Sequence, residues 1–239
     1  MQRPQTPNGR MSLPLWKDEV LRLKEELEKR FGVKITDEKL ARSIELRNRM
    51  TRVMMDFYDL AKLPTPAVTG REIMTVSDYF KFSFDYEETM AKVKELTQKL
   101  RENYEAGERR VSEKARRILI TGCPTGKSLQ KVADAVETPD NGGVVIGFEN
   151  CGNLKCSDLP VSTDKAPLDA LAEKYLGIPC SVMSPNESRI KLLRRFCDEY
   201  KADGVVDIIL QACHTYNVES RSVKLDTQAL GVPYASLET

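Results

Sequence analysis

From residue 12 to about residue 110, apolar positions recur three and four residues apart, the spacing that puts one face of a helix against a core. The stretch LPLWKDEVLRLKEELEKRF shows it first, with Ser12 expected as its cap and Pro14 in its first turn. Gly32 is the expected stop, and Thr36 the expected cap of the next helix, DEKLARSIELRNRMTRVMMDFYDLAK. Pro64 and Pro66 break that helix, and two more are expected over 69–80 and 86–106. This half is rich in Glu and Lys and carries no catalytic constellation. It reads as helices packed on one another and on the second half of the chain.

After Arg117 the period changes. Short apolar runs appear at ILIT (118–121), GVVIGF (143–148), IPCSV (178–182), GVVDIIL (204–210) and VPYASL (232–237). Helical stretches over 127–137, 167–176, 187–200 and 216–230 separate them. Strands alternating with helices imply a mostly parallel sheet, here five-stranded, with helices on both faces. The expected class is α/β, divided into a helical region over 1–110 and an α/β domain over 117–239. The polar segment EAGERRVSEKARR places a hinge near 107–116.

Composition narrows the function classes. Hydrophobic residues make up 41% and charged residues 31%, as in ordinary globular chains. Lys plus Arg number 37 against 36 acidic residues, a formal charge of +1, which argues against nucleic acid or a membrane surface as partner. No apolar run approaches the roughly 20 residues of a membrane span. The stretch MQRPQTPNGRMSLPLWKDE lacks the apolar core of a secretory signal, so a cytoplasmic location is expected. All six cysteines lie in the second half, and the single histidine is His214. A histidine-rich metal site and a Ser-His-Asp triad elsewhere are therefore excluded.

In open α/β sheets, ligands bind beyond the carboxyl ends of the strands. Three cysteines fall there: Cys123 in TGCPTG, Cys151 in ENCG and Cys213 in QACHTYN. Soft thiolates at one sheet edge suit an iron–sulfur cluster or zinc, against the plainer alternative of three buried loop cysteines. Cys180 and Cys197 read as small apolar core residues, and Cys156 lies five positions after Cys151 without a tight ligand spacing. TGCPTGKS lacks one residue of a nucleotide phosphate loop, although Gly122 and Gly126 suit a turn whose amides could hold an anion. Glu149 is a candidate base or a turn cap. His214 is a candidate proton donor beside Cys213, and Asn217 and Glu219 are expected to open the last helix.

These strand-end motifs, in this order, resemble the 2-hydroxyacyl-CoA dehydratase family, which includes benzoyl-CoA reductase subunits and double-cubane cluster proteins. The stretches that carry the resemblance are ILITGCPTG, GGVVIGFENCGNLK, DALAEKYLGIPCSVMSPNESRIKLL, ADGVVDIILQACHTYNVES and GVPYASLET, with PQTPNGRMSLPLWKDEVLRLKEELEKRFGVKIT as a lead-in. The resemblance implies a flavodoxin-like α/β domain, the second of two in a longer subunit whose first domain carries further cluster cysteines. The chain is thus expected to be a fragment, a truncated reading frame or one piece of a split subunit.

By the same resemblance Cys213 is the metal ligand, and Cys123 and Cys151 line the cleft as further cofactor-binding residues with the Gly122–Gly126 turn. Glu149 and His214 are the catalytic candidates. The implied cofactor is a [4Fe–4S] cluster or an [8Fe–9S] double cubane, completed by cysteines absent from this chain. The implied partners are a similar subunit, as homo- or heterodimer, an ATP-dependent activator protein and an acyl-CoA substrate. The implied reaction belongs to anaerobic metabolism and is the one-electron reductive dehydration of a 2-hydroxyacyl-CoA. A double-cubane-type reductase of small molecules and a non-catalytic α/β scaffold are the alternatives.

Overall fold

The Thr36 hydroxyl accepts a hydrogen bond from the Lys39 N–H (3.4 Å) and starts α2, Asp37–Tyr58, as the sequence indicated. Before it, α1 (Ser12–Phe31) ends at Gly32 in the left-handed conformation (φ 61°). Its cap differs from expectation. Met11 occupies the N-cap without a side-chain bond, while Ser12 is already helical and its N–H donates to the Gly9 carbonyl. A 3₁₀ turn (Asp59–Lys62) precedes the proline break. Helix α3 (Gly70–Lys81) opens with a reciprocal Thr69–Glu72 capping box, and α4 spans Tyr86–Glu105.

The computed structural model describes residues 1–139, 142–157 and 159–239. After α4 come β1 (Arg116–Gly122), α5 (Lys127–Val136), β2 (Gly143–Glu149), α6 (Leu154–Ser157), α7 (Pro167–Gly177), α8 (Glu187–Glu199), β3 (Gly204–Ile209), α9 (His214–Ala229) and β4 (Tyr234–Glu238). The four strands are all parallel, in the order β2-β1-β3-β4. Residues of β1, β2 and β3 are buried almost without interruption, so both faces of these strands are covered. Strand β4 forms the exposed edge.

The fifth strand expected at 178–182 is not formed. Pro179 lacks an N–H for a ladder, and the Cys180 carbonyl is taken by the Asn186 side-chain amide (2.8 Å). The segment is instead a turn whose Val182 side chain is exposed.

One hydrophobic cluster joins the helical region to the sheet. Phe57, Leu60 and Ile73 are buried in it together with Leu119, Val145 and Phe148. Two polar anchors reinforce the join. The buried Arg117 guanidinium donates to the carbonyls of Ala61 (2.6 Å), Leu63 (3.0 Å) and Tyr200 (2.7 Å). The Glu137 carboxylate accepts from the N–H groups of Gly70 (2.5 Å) and Val145 (3.0 Å), placing an acid at the start of α3. Among the described residues, no helix is long and apolar enough to cross a membrane.

Candidate functional site

Parallel strands bring the ends of β1, β2 and β3 to one edge, and their register decides what meets there. Thr121 lies opposite Glu149 on one side and Asp207 on the other, and Asp207 lies opposite Ser236. Residues in one row of a parallel sheet share a face. A polar row therefore runs beneath the carboxyl ends of the strands, and Thr121, Glu149 and Asp207 are all buried.

Bases for these acids come from the helices. Lys155 of α6 lies 2.9 Å from Glu149, with no exposure of either side chain. Arg189 of α8 lies 3.3 Å from Glu149 and 3.3 Å from Glu219 of α9, and also donates to the Thr121 hydroxyl (3.0 Å). Burial alone would raise the Glu149 carboxyl, but Arg189 and Lys155 outweigh it and hold it below the usual carboxylate range. Burial dominates at Asp207, whose carboxyl is raised; its Oδ2 accepts from the Tyr234 hydroxyl (3.0 Å), and its buried Oδ1 has no hydrogen-bond partner among the described residues. Glu149 is thus a clamped carboxylate inside the fold rather than a group facing the cleft.

Above this row the strand-end thiols form two pairs. Cys123, following β1, and Cys213, at the N-cap of α9, interact through their side chains. Burial pushes the Cys123 thiol up to about 11, and its sulfur accepts the Leu210 N–H (3.4 Å). The Cys213 thiol is lowered by the backbone N–H of Tyr216 and by the Thr215 hydroxyl, which lies 3.6 Å away. The turn presenting Cys213 contains Ala212 at φ 62°, a conformation that disfavours a side chain. Gly122 has φ 107°, and an added Cβ would sit 2.1 Å from the Ile208 carbonyl oxygen, so only glycine lets β1 lie against β3 and lead into Cys123.

The second pair is Cys151 and Cys156, five residues apart across the start of α6. The Cys156 thiol, the Lys155 ammonium and the Tyr216 hydroxyl (3.8 Å from the Cys151 sulfur) hold the exposed Cys151 well below the usual thiol range, outweighing the desolvation that opposes them. Tyr216 separates the two pairs: it lies one turn after Cys213 on α9 and 3.4 Å from Lys155. Among the described residues, no three His, Cys, Asp or Glu side chains come together as a metal-binding group.

Residues 1–239 match the model of the family described as 2-hydroxyglutaryl-CoA dehydratase, D-component. The chain belongs to this family. It is 43% identical over 240 residues to "Putative dehydratase subunit YjiM" of Escherichia coli (strain K12), an alignment covering all of this chain and 62% of that protein. It is 28% identical over 221 residues to the "(R)-phenyllactyl-CoA dehydratase beta subunit" of Clostridium sporogenes, covering 90% of this chain and 55% of that one. This member of the dehydratase D-component family therefore spans less than two thirds of the length of either relative.

Of the other predicted residues, His214 is the exposed first residue of α9, and Gly126, at φ 57°, precedes α5. Asn217 and Glu219 lie inside α9 rather than at its start, and Glu219 is held by Arg189 and by the Asn186 amide (2.9 Å). Cys197 is buried and pushed up to about 11, whereas Cys180 is only half-buried in its turn. Sequence reasoning missed Lys155, Arg189, Asp207 and Tyr216. Two left a signal: Arg189 occupies the apolar stripe of α8 with Leu192, Leu193 and Phe196, and Asp207 interrupts the apolar run of β3.

Proposed function

We propose that this chain supplies the cysteine-bearing C-terminal part of a 2-hydroxyacyl-CoA dehydratase subunit, acting with a similar partner subunit and an ATP-dependent activator. The observation that carries the reading is the meeting of Cys123 and Cys213 at the ends of β1 and β3, in a chain of the dehydratase D-component family. Two strand-end thiols within reach of each other, one of them lowered and on a strained turn, fit as soft donors for an iron–sulfur cluster. The remaining donors come from outside this chain. A [4Fe–4S] cluster, or an [8Fe–9S] double cubane, bound there would supply single electrons for removal of the hydroxyl group of a 2-hydroxyacyl-CoA.

The protein's own groups do the rest. Cys213 and Cys123 hold the cofactor at the sheet edge, and the glycine turn of Gly122 lets β1 approach closely enough to present Cys123. Tyr216 and Lys155 form a polar path from the cleft to the buried Glu149, able to hold or pass a proton near Cys151. His214 offers an exposed imidazole on the same edge for proton exchange. Glu149 fixes Lys155 and Arg189 and has no access to a substrate.

The test is anaerobic reconstitution of the chain with iron and sulfide, followed by metal analysis and EPR after reduction. Cys213→Ala should lose the bound iron and the signal, and Cys197→Ala should keep both. A Cys213→Ala variant that holds as much iron as the native chain, or a Cys197→Ala variant that loses it, overturns the reading.

A further inference from the structure

The turn between β2 and α6 holds two sulfurs in one place. The Asn150 side-chain oxygen accepts the Gly152 N–H (2.8 Å) and the Asn153 side-chain amide (3.3 Å), and the Asn150 carbonyl accepts the Asn153 N–H (3.2 Å). The Asn153 carbonyl in turn accepts the Cys156 N–H (3.3 Å), and its side-chain oxygen accepts from the buried Tyr58 hydroxyl (3.3 Å). Both asparagines are buried. These bonds fold the chain between Cys151 and Cys156 back on itself and bring the two thiols within hydrogen-bonding reach.

Both side chains are also open to small molecules. Cys151 is exposed and Cys156 half-buried. Together they bound a chamber of about 150 Å³ with Arg47 and Lys81, and a neighbouring cavity of about 230 Å³. Arg47 and Lys81 are exposed. The Lys81 ammonium, 3.6 Å from Asp78, lies over the turn itself, where a Cβ added at Gly152 would sit 3.1 Å from its Nζ.

We propose that Cys151 and Cys156 form a reversible redox site, closed to an internal disulfide by a small anionic disulfide of the glutathione class. The site is separate from the Cys123–Cys213 pair and does not depend on the cluster reading. Its two sulfurs have different roles. Cys156, Lys155 and Tyr216 favour the thiolate of Cys151, whereas the Cys156 thiol is raised, first by the Cys151 sulfur and then by burial. Cys151 therefore attacks: its thiolate bonds to one sulfur of the oxidant, the oxidant's S–S bond breaks, and one thiolate leaves. The mixed disulfide carries no charge on Cys151, which removes the largest cause that kept the proton on Cys156. Cys156 gives that proton to the departed thiolate, attacks the Cys151 sulfur and expels the second thiolate. One external disulfide is reduced, and the two protein thiols are oxidised to a bridge. Arg47 and Lys81 supply cations for the carboxylates of such an oxidant. The bridged form presents no thiolate to Lys155 and Tyr216, so oxidation alters the polar path toward Glu149 while leaving Cys123 and Cys213 reduced.

The full 239-residue chain tests this when equilibrated anaerobically with glutathione and glutathione disulfide at rising ratios, quenched in acid, alkylated and mapped by peptide mass. Oxidising ratios should join Cys151 to Cys156, and dithiothreitol should restore both thiols. Cys156→Ser should stop at a mixed disulfide of Cys151 with glutathione. Cys151→Ser should form the adduct at Cys156 at least about tenfold more slowly than Cys156→Ser forms it at Cys151. Cys151 and Cys156 left as free thiols while other cysteines oxidise, no adduct on Cys151 in Cys156→Ser, or equal rates in the two variants overturns the assignment.

Discussion

The Arg189 guanidinium lies 3.3 Å from the Glu149 carboxylate, with 1% and 0% of the two side chains exposed. With Lys155 and Glu219 they form two cations and two anions that link β2, α6, α8 and α9, and the Thr121 hydroxyl of β1 closes the group. Such a cluster adds little net stability over an apolar core, but it is costly to break at one point. It therefore specifies which helices meet the strand ends, and so where the thiols stand.

Glu149→Gln should destabilise the chain by about 3–5 kcal/mol in denaturant unfolding, because it leaves Arg189 and Lys155 buried without their shared carboxylate. Arg189→Met should cost a similar amount, and the double variant should cost less than the sum by about 1 kcal/mol or more. Strict additivity would show that the two side chains do not act as a pair.

The same carboxylate gives a sign to the acid limb of stability. Its folded-state value is depressed, so the unfolded chain takes up the proton first as pH falls. The stabilisation is complete above the unfolded value of about 4.3 and is lost as pH drops through the folded value. Unfolding free energy between about pH 6 and pH 3 should fall more steeply in the native chain than in Glu149→Gln. Parallel curves would remove this ion pair as a source of acid lability.

Cys151 should react far faster near neutral pH than the buried thiols Cys123 and Cys197. Cys156, Lys155 and Tyr216 favour its thiolate, whereas Cys123 and Cys197 are held up to about 11 by burial. Peptide mapping after brief iodoacetamide treatment at pH 7 should show Cys151 modified at least tenfold faster than either. Tyr216→Phe and Cys156→Ala should each move the midpoint of its pH–rate profile upward. Equal rates at the three cysteines would refute the electrostatic account.

Two glycines should respond in opposite ways to alanine. Gly122→Ala combines a positive φ with a clash against the Ile208 carbonyl and should cost about 2 kcal/mol or more. Gly177→Ala, at the end of α7 with open space around it, should be neutral or stabilising by up to about 1 kcal/mol. Melting curves of the two variants decide it.

Most elements were legible in the sequence because local signals and tertiary packing agree. The hydroxyl of Thr36, the left-handed Gly32 and the Val/Ile runs of β1, β2 and β3 each read directly. IPCSV misled because its composition is that of a strand, while Pro179 and the Asn186 bond to Cys180 commit its backbone elsewhere. The cysteine positions were equally visible, but their division into two pairs was not. That division follows from where α6 and α9 begin, and from the Tyr216 ring set between them. Lys155 and Arg189 escaped notice because an isolated Lys or Arg in a helix reads as solvated, and only the register of three strands supplies their buried partner.

The bond from Gly70 to Glu137 spans 67 residues, and Val145 packs against that same glycine later still. During synthesis the first four helices leave the ribosome before the strands against which Phe57, Leu60 and Ile73 are buried. Until β2 emerges, those side chains have no sheet to cover them, and exposed apolar surface of this kind favours aggregation and proteolysis. An expression boundary placed between α4 and β2 would hold the chain at that vulnerable stage, whereas one placed beyond β2 would let the helices dock as they do here.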